Sequence, residues 1–240
     1  MYPTVAVLSI LRNEARRWLP CVLRAWESFA DVVIALDDSS TDDTASILQA
    51  SPKVEYHLRS ADPMWGAESS ARQELWRLGV ASGATWLFVL DADMVPACDP
   101  RKLLHPSADA VAFRLFDLWN LHPPLYRDDG YWRAHAVPRT WMVKNPGPGF
   151  ADAWPERGIH CGHLPLNIEI ERQIFAPLEH SLLHLAYSDK DSRAAKAEQY
   201  AAKAMQLTQM EQQHAASITD SFVKLKPLPI PVEYPLRKEV

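Results

Sequence analysis

The chain has 240 residues, of which 48% are hydrophobic and 23% charged. This usage is typical of a globular protein and excludes a disordered or collagen-like chain. The 25 Lys and Arg residues against 30 Asp and Glu give a net charge of −5, which argues against a nucleic-acid partner because such partners need a basic face. Three widely spaced cysteines predict no disulfide framework. With no apolar run long enough for a transmembrane segment and no secretory signal, we predict a cytoplasmic protein.

The first half of the chain alternates predicted strands and helices. Apolar runs predict strands at 5–11, 32–36, 54–58 and 86–90, and helical spacing predicts helices at 15–29, from about 42 through 48, and at 67–81. Such alternation predicts a largely parallel sheet with helices on both faces. Ligands of such sheets bind beyond the carboxyl ends of the strands. We therefore expect the polar clusters at 12–14, 37–42 and 91–93 to meet in one crevice.

The second half is less regular. A further strand is predicted at 111–115, and residues 118–165 are rich in Trp, Pro, Gly and His, as in functional loops. Residues 191–213 contain no Gly or Pro and predict one helix. Four prolines between 227 and 235 predict an extended tail. We expect all these segments to share one sheet in a single domain of residues 1–240.

Two carboxylates follow the fourth predicted strand. Asp91 and Asp93 are two residues apart, so on extended backbone their side chains project to the same side. Carboxylates that close repel each other unless a positive charge lies beside them, and Mg²⁺ or Mn²⁺ prefers such oxygen ligands. The two residues alone leave an ordinary acidic turn equally open.

The surrounding sequence resembles a known family. The Asp-x-Asp in LFVLDADMVP resembles the metal- and nucleotide-sugar-binding motif of family 2 glycosyltransferases with a GT-A fold. The resemblance extends to Asn13-Glu14 after the first strand and to the acidic cluster at 37–42, and it covers about residues 4–98. It implies a nucleotide-sugar-binding half at 1–105, an acceptor-side half at 106–190, and a C-terminal helix with a Pro-rich tail at 191–240.

The resemblance implies a role for each matching residue of the first half. Asp38, with Asp37, would accept a hydrogen bond from the base of the donor. Asp91 would contact the ribose or the metal through its bound water, and Asp93 would ligate the Mn²⁺ or Mg²⁺ that bridges the two phosphates. Arg72 would donate to the diphosphate, with an ordinary surface arginine as the alternative.

The segment HSLLHLAYSDKDSRAAKAEQY also resembles the family, in which a His in a His-x-x-Tyr context completes the metal shell. That role falls on His184, with Tyr187 and Tyr200 in the same pattern. Arg193 and Lys196 lie three apart and share a helix face, so both would approach the diphosphate. The alternative is a packed histidine beside a solvated helix.

Inverting transfer needs a base that takes the proton of the acceptor hydroxyl. In the expected acceptor region we rank Glu156 and Asp152 before His160, because the resembling family generally uses an acidic residue. Loop tryptophans offer stacking faces for a sugar, although core packing explains at least half of them: Trp132, Trp141 and Trp154.

These expectations combine into one hypothesis. The chain would be a metal-dependent, inverting glycosyltransferase that moves a sugar from a nucleoside-diphosphate sugar, a UDP-sugar being favoured, to a hydroxyl acceptor. A lipid-linked glycan acceptor would bring the protein to the periphery of a membrane. The alternative is a nucleotide- or partner-binding module with the same fold and no turnover. A sugar nucleotidyltransferase is less favoured, because LSILRNEARR contains no glycine for a triphosphate-binding loop.

Overall fold

The computed structural model describes residues 3–59, 67–158 and 160–236. In chain order the elements are β1 (Val5–Leu11), α1 (Leu19–Phe29), β2 (Val32–Asp37), α2 (Thr44–Ala50), β3 (Val54–Leu58), α3 (Glu68–Ala81), β4 (Trp86–Val89), β5 (Met94–Pro96), β6 (Ala110–Phe113), β7 (Leu115–Leu121), β8 (Pro124–Arg127), β9 (Arg139–Lys144), β10 (Gln173–Phe175), β11 (Leu182–His184), α4 (Lys190–Ala201), α5 (Gln209–Ala216) and β12 (Leu225–Pro227). Short 3₁₀ turns lie at Pro100–Leu103, Leu178–His180, Ala204–Gln206 and Ser217–Thr219.

The larger sheet has seven strands in the order β10-β6-β9-β4-β1-β2-β3. Strands β4, β1, β2 and β3 run parallel, and β9 is antiparallel to both of its neighbours. The sequence prediction of a mixed α/β fold with a mostly parallel sheet is confirmed. Its first and third strands agree with the structure to the residue: β1 is apolar except for Ser9, and β3 alternates apolar with polar residues.

A second sheet of five strands has the order β12-β8-β7-β11-β5. The expectation that one sheet holds every segment is therefore wrong. Strand β5 begins directly after the Asp91–Asp93 turn and pairs with β11, which in turn runs parallel to β7. Strands β5 and β11 have three residues each, too short to show a periodicity in the sequence. The pairing of β5 with β11 brings segments that are distant in the sequence close to the carboxyl end of β4.

Helices cover both faces of the larger sheet. Side chains alternate along β1, so that Val5 and Val7 pack with Trp26 of α1, while Leu8 packs with Trp76 of α3. A sheet buried on both sides needs continuous apolar strands, as the sequence of β1 provides. Among the described residues, no helix is both long and apolar enough to cross a bilayer.

The C-terminal segment differs from its prediction. In place of one helix over 191–213, the chain forms α4, a 3₁₀ turn and α5. Thr208 and Glu211 form a capping box, in which each side chain bonds the backbone of the other, and this motif begins a new helix. The Pro-rich tail then lies along the body, where Ile230 and Leu236 join the core.

Candidate functional site

The polar clusters after β1, β2 and β4 lie at one edge of the sheet, because these strands are parallel neighbours. The amide of Asp38 donates to the carbonyl of Leu11 at 2.8 Å, and the amide of Thr41 donates to Oδ1 of Asn13 at 2.8 Å. The amide of Leu90 donates to the carbonyl of Leu8 at 3.0 Å, which places the following acidic turn beside β1.

Asp91 and Asp93 do not lie on extended backbone as expected. They occupy a turn closed by a 3.0 Å hydrogen bond from the amide of Met94 to the carbonyl of Asp91. Oδ1 of Asp91 accepts from Arg72 at 2.9 Å, and Oδ2 lies 3.2 Å from Nε2 of His163. Burial would raise the pKa of Asp91, but His163 and Arg72 hold that pKa well below its usual range. Asp91 is thus a carboxylate paired with protein cations.

Arg72 is not the surface arginine of the alternative interpretation, because it is only 5% exposed. Its Nε donates to Oε1 of Glu68 at 3.3 Å and its Nη2 to Asp91. Its Nη1 is buried and has no hydrogen-bond acceptor among the described residues. The guanidinium is therefore fixed in orientation with one donor group still unsatisfied.

Asp93 has a different set of neighbours. Its Oδ1 lies 3.3 Å from Nε2 of His184, and its Oδ2 lies 4.0 Å from Nζ of Lys196. Burial would raise the pKa of Asp93, but His184 lowers it to about 2. The side chain is buried and ionised, and strand β11 supplies its nearest partner.

His184 is held between two carboxylates. Nδ1 lies 2.7 Å from Oδ1 of Asp117 on β7, while Nε2 faces Asp93. Burial would lower the pKa of His184, but Asp93 and Asp117 raise it to about 10. A carboxylate at one ring nitrogen fixes the imidazole so that the other nitrogen points into the site.

Asp93 and His184 offer a potential pair of ligands for a divalent cation. Nε2 of His184 and Oδ1 of Asp93 are close neighbours, and that buried oxygen has no hydrogen-bond partner among the described residues. The described ranges contain no group of three or more His, Cys, Asp or Glu side chains arranged to hold a metal. Mg²⁺ sites are commonly built from one or two protein ligands with phosphate oxygens and water, so two ligands suffice.

Glu14 belongs to the same region, although the sequence analysis assigns no role to it alone. Oε1 accepts from Arg17 at 2.7 Å, whereas Oε2 is buried without a hydrogen-bond partner among the described residues. Burial raises the pKa of Glu14 to about 7, against the charge of Arg17. The charges of Asp93 and Lys196 also act on this pKa, so Glu14 lies near both.

Asp37 and Asp38 close the β2 end of the crevice. Asp38 is buried between Arg59, at 3.2 Å, and Arg12, at 3.4 Å. Asp37 accepts from the hydroxyl of Tyr56 at 2.8 Å and from the amide of Ser40 at 2.9 Å, so it stabilises the turn. The predicted role of both residues toward a base stays a prediction.

Two predicted site residues have partners outside this cluster. Arg193 donates through Nη1 to the carbonyls of Trp119 and Tyr187 at 3.1 and 2.6 Å, and its guanidinium lies over the Trp119 ring. Only Lys196 of the predicted helical pair therefore approaches Asp93. Asp152 accepts from Gln73 at 2.8 Å and lies 3.4 Å from Arg77, both on α3.

The other two base candidates also differ in surroundings. Glu156 is exposed and forms no hydrogen bond or ion pair with the described residues. His160 donates its amide to Glu68, and its Nδ1 lies 2.7 Å from Oε1 of Glu211. Burial would raise the pKa of Glu211, but hydrogen bonds from Thr208 and His160 lower it to about 2. The three candidates make no contact with one another.

No family model matches the chain. A 99-residue stretch, 39% of the chain, is 31% identical to an uncharacterized protein of Mycobacterium tuberculosis and to one of Mycobacterium bovis. The matched stretch spans only 24% of those proteins. The crystal structure of S. aureus TarS 1-349 matches 90% of this chain and 69% of its own, with 12% identity and a TM-score of 0.50. The fold is GT-A-like.

A second solved structure is more distant. Glucosyl-3-phosphoglycerate synthase from Mycobacterium tuberculosis, in complex with Mn²⁺, uridine diphosphate and phosphoglyceric acid, has 20% identity and a TM-score of 0.33. The match covers 48% of this chain and 43% of that one. The GT-A-like assignment rests on the larger match to TarS and concerns the fold alone.

Proposed function

We propose that the protein is a metal-dependent glycosyltransferase, related to family 2, that transfers a sugar with inversion from a nucleoside-diphosphate sugar, favourably a UDP-sugar, to a hydroxyl acceptor. The observation that carries this proposal is the meeting of Asp93 and His184. They are distant in the sequence, but the pairing of β5 with β11 places them 3.3 Å apart in a buried position at the carboxyl edge of a GT-A-like fold, where ligands of such sheets bind.

Asp93 and His184 would hold Mn²⁺ or Mg²⁺ in exchange for the Nε2 proton of His184, which would be released to solvent, and Asp117 would keep the remaining proton on Nδ1. When bound, the cation acts as a Lewis acid that stabilises the charge of the departing nucleoside diphosphate. The unsatisfied Nη1 of Arg72 would donate to a phosphate oxygen. Lys196, 4.0 Å from Asp93, would add positive charge on the same side. Charges placed before the reaction in this way stabilise a transition state effectively.

The donor base would bind at the other end of the crevice. Asp38 offers carboxylate oxygens and Arg12, which is partly exposed, offers N–H donors. A nucleobase edge that carries both N–H and C=O groups is complementary to this pair. Asp37 would act indirectly, because its hydrogen bonds shape the turn that carries Asp38.

Glu156 is the base that we favour among the three candidates. Its neighbours Pro155 and Arg157 offer their carbonyls to the hydroxyl of Ser69 at the start of α3. The loop is therefore anchored one turn from Arg72, with a free carboxylate at its tip. Asp152, in contrast, is already paired with residues of α3. The acceptor would be a glycan, free or lipid-linked.

The experiment is calorimetric titration of UDP with and without Mn²⁺, together with sugar release from a panel of UDP- and GDP-sugars. We expect Mn²⁺-dependent UDP binding by the unaltered protein and its loss in Asp93→Asn, because the variant lacks one of two metal ligands. Glu55→Gln removes an exposed carboxylate of β3 and should bind UDP normally. Glu156→Gln should bind UDP normally yet transfer no sugar.

Absence of metal-dependent nucleotide binding would contradict the proposal, as would Asp93→Asn that binds UDP like the unaltered protein. Metal-dependent UDP binding without sugar release from any donor would favour the alternative of a binding module without turnover.

A further inference from the structure

The described residues line an open surface cavity of about 700 Å³ away from the Asp93 cluster. It lies between the turn that follows β8 and the segment that precedes β12. Six residues characterise its lining: Arg127, Asp129, Tyr131, Asp220, Phe222 and Lys224. Its volume falls in the range of small-molecule binding sites, about 300–1,000 Å³.

The cavity is lined on one side by Arg127, whose guanidinium is held in place by hydrogen bonds. Arg127 is 3% exposed, and its guanidinium carbon lies over both the Trp119 and Trp132 rings, 4.9 and 5.0 Å from their centroids. Nε donates to Asp129 at 2.7 Å, and Nη2 donates to Asp220 at 3.0 Å. Nη1 donates to the carbonyl of Ser217 at 2.6 Å. All three nitrogens are therefore used by the protein, and both carboxylates are held in place.

The charge of the lining selects the class of ligand. The two carboxylates balance Arg127 and Lys224, and each nitrogen of Arg127 already donates one hydrogen bond to the protein. Carboxylate oxygens accept hydrogen bonds well from neutral hydroxyl groups. A neutral ligand with many hydroxyl groups matches this lining better than a phosphate or a cation does.

Two aromatic rings complete the match. Tyr131 is 48% exposed and Phe222 96% exposed at the rim. The hydroxyl of Tyr131 donates to Gln213, which fixes the direction of the ring. An exposed aromatic ring can pack against the apolar face of a sugar ring. The polar side chains beside it can form hydrogen bonds with the hydroxyl groups of the sugar.

The cavity is also joined to the Asp93 cluster through packed rings. The Trp132 ring packs against Arg127 of the lining and contacts Tyr187 at 4.7 Å between centroids, and Tyr187 contacts His184 at 5.0 Å. The cavity is thus a separate region that adjoins the cluster through packed side chains.

We propose that this cavity is a distal subsite for a neutral oligosaccharide, which holds the acceptor glycan away from the reacting hydroxyl. As an acceptor subsite it rests on the proposed glycosyl transfer, but glycan binding can be measured without any turnover. The side chains that we assign to it are Tyr131 and Phe222 as stacking faces and Asp129 and Asp220 as acceptors.

The experiment is saturation-transfer NMR of the full chain with four neutral trisaccharides: maltotriose, cellotriose, mannotriose and chitotriose. We expect binding of at least one of them, and at least about tenfold weaker binding by Tyr131→Ala/Phe222→Ala, because two ring contacts are lost. Phe175→Ala removes a 65% exposed ring on β10 and should bind normally. Asp93→Asn should keep glycan binding even if it loses UDP binding.

No binding of any trisaccharide would overturn the subsite, and so would equal binding by the double variant. Displacement of the bound sugar by inorganic phosphate would also overturn it, because the lining would then be selecting an anion. If UDP binding fails while glycan binding behaves as expected, the proposed transfer is wrong and the subsite stands.

Discussion

Gly79 of α3 allows the helix that carries Arg72 to lie directly on β1. A Cβ atom built at this position would lie 2.2 Å from Cδ2, 2.9 Å from Cγ and 3.2 Å from Cδ1 of Leu8. Three atoms of one side chain are crowded, so rotation of a single methyl group does not relieve the contact. Leu8 is fully buried between β1 and α3 and has no free space to enter. We therefore expect Gly79→Ala to destabilise the protein.

Two opposing effects set the magnitude. Alanine favours a helix interior over glycine by up to about 1 kcal/mol. Insertion of a methyl group into a tight core costs about 1–3 kcal/mol, and the upper half of that range applies because the Leu8 atoms must move by more than about 1 Å. The cost of the steric clash should exceed the gain in helix propensity. We expect a net loss of about 1–2 kcal/mol in the free energy of unfolding, measured by urea denaturation.

The double variant Leu8→Ala/Gly79→Ala tests the cause. Leu8→Ala alone should cost about 2–5 kcal/mol, but in the Gly79→Ala background it also removes the crowded atoms. The combined loss should therefore be smaller than the sum of the single losses by at least about 0.5 kcal/mol. A Gly79→Ala protein as stable as the unaltered one, or strictly additive losses, would refute the close approach of α3 and β1.

Two further outcomes follow from the electrostatics of the site. Asp117→Asn should weaken Mn²⁺-dependent UDP binding about 10- to 100-fold, because the carboxylate that orients a metal-binding histidine is lost; calorimetry that shows unchanged binding would contradict the role of His184. Glu211 has a folded pKa of about 2 against an ordinary 4.5, so its ionised form stabilises the fold above pH 4.5 and that contribution disappears as the pH falls toward 2. Unfolding free energies should therefore decline less between pH 7 and pH 3 in Glu211→Gln than in the unaltered protein, and parallel declines would contradict this.

The parts of the fold that depend on local pattern could be predicted from the sequence. Strand β1 is a run of apolar residues interrupted only by Ser9, and α1 repeats apolar residues at helical spacing, so each shows a local pattern. Thr208 and Glu211 also carry a local signal, the capping-box spacing, within a segment of helix-forming composition. The break between α4 and α5 therefore has a signature in the sequence.

The parts of the site that the sequence does not predict depend on contacts between segments that are distant along the chain. Asp117 is one polar residue within the apolar strand β7, and only the pairing of β7 with β11 brings it to His184. Arg193 and Lys196 share a helix face, as spacing requires. Their side chains nevertheless separate, since Arg193 finds two backbone carbonyls near the start of α4. The sequence alone does not indicate which of several nearby acceptors a side chain will contact.

In the turn that carries Asp91 and Asp93, the repulsion between the two carboxylates is offset by neighbouring side chains. Sequence reasoning expected one cation between them, but the structure gives each its own counter-charge: Arg72 for Asp91 and His184 for Asp93. The protein can therefore keep the turn folded with its own side chains, because neither carboxylate depends on a metal for charge balance. Under the proposed function, the protein supplies two metal ligands and the remaining positions fall to phosphate oxygens and water. Binding of the cation would then be coupled to binding of the donor.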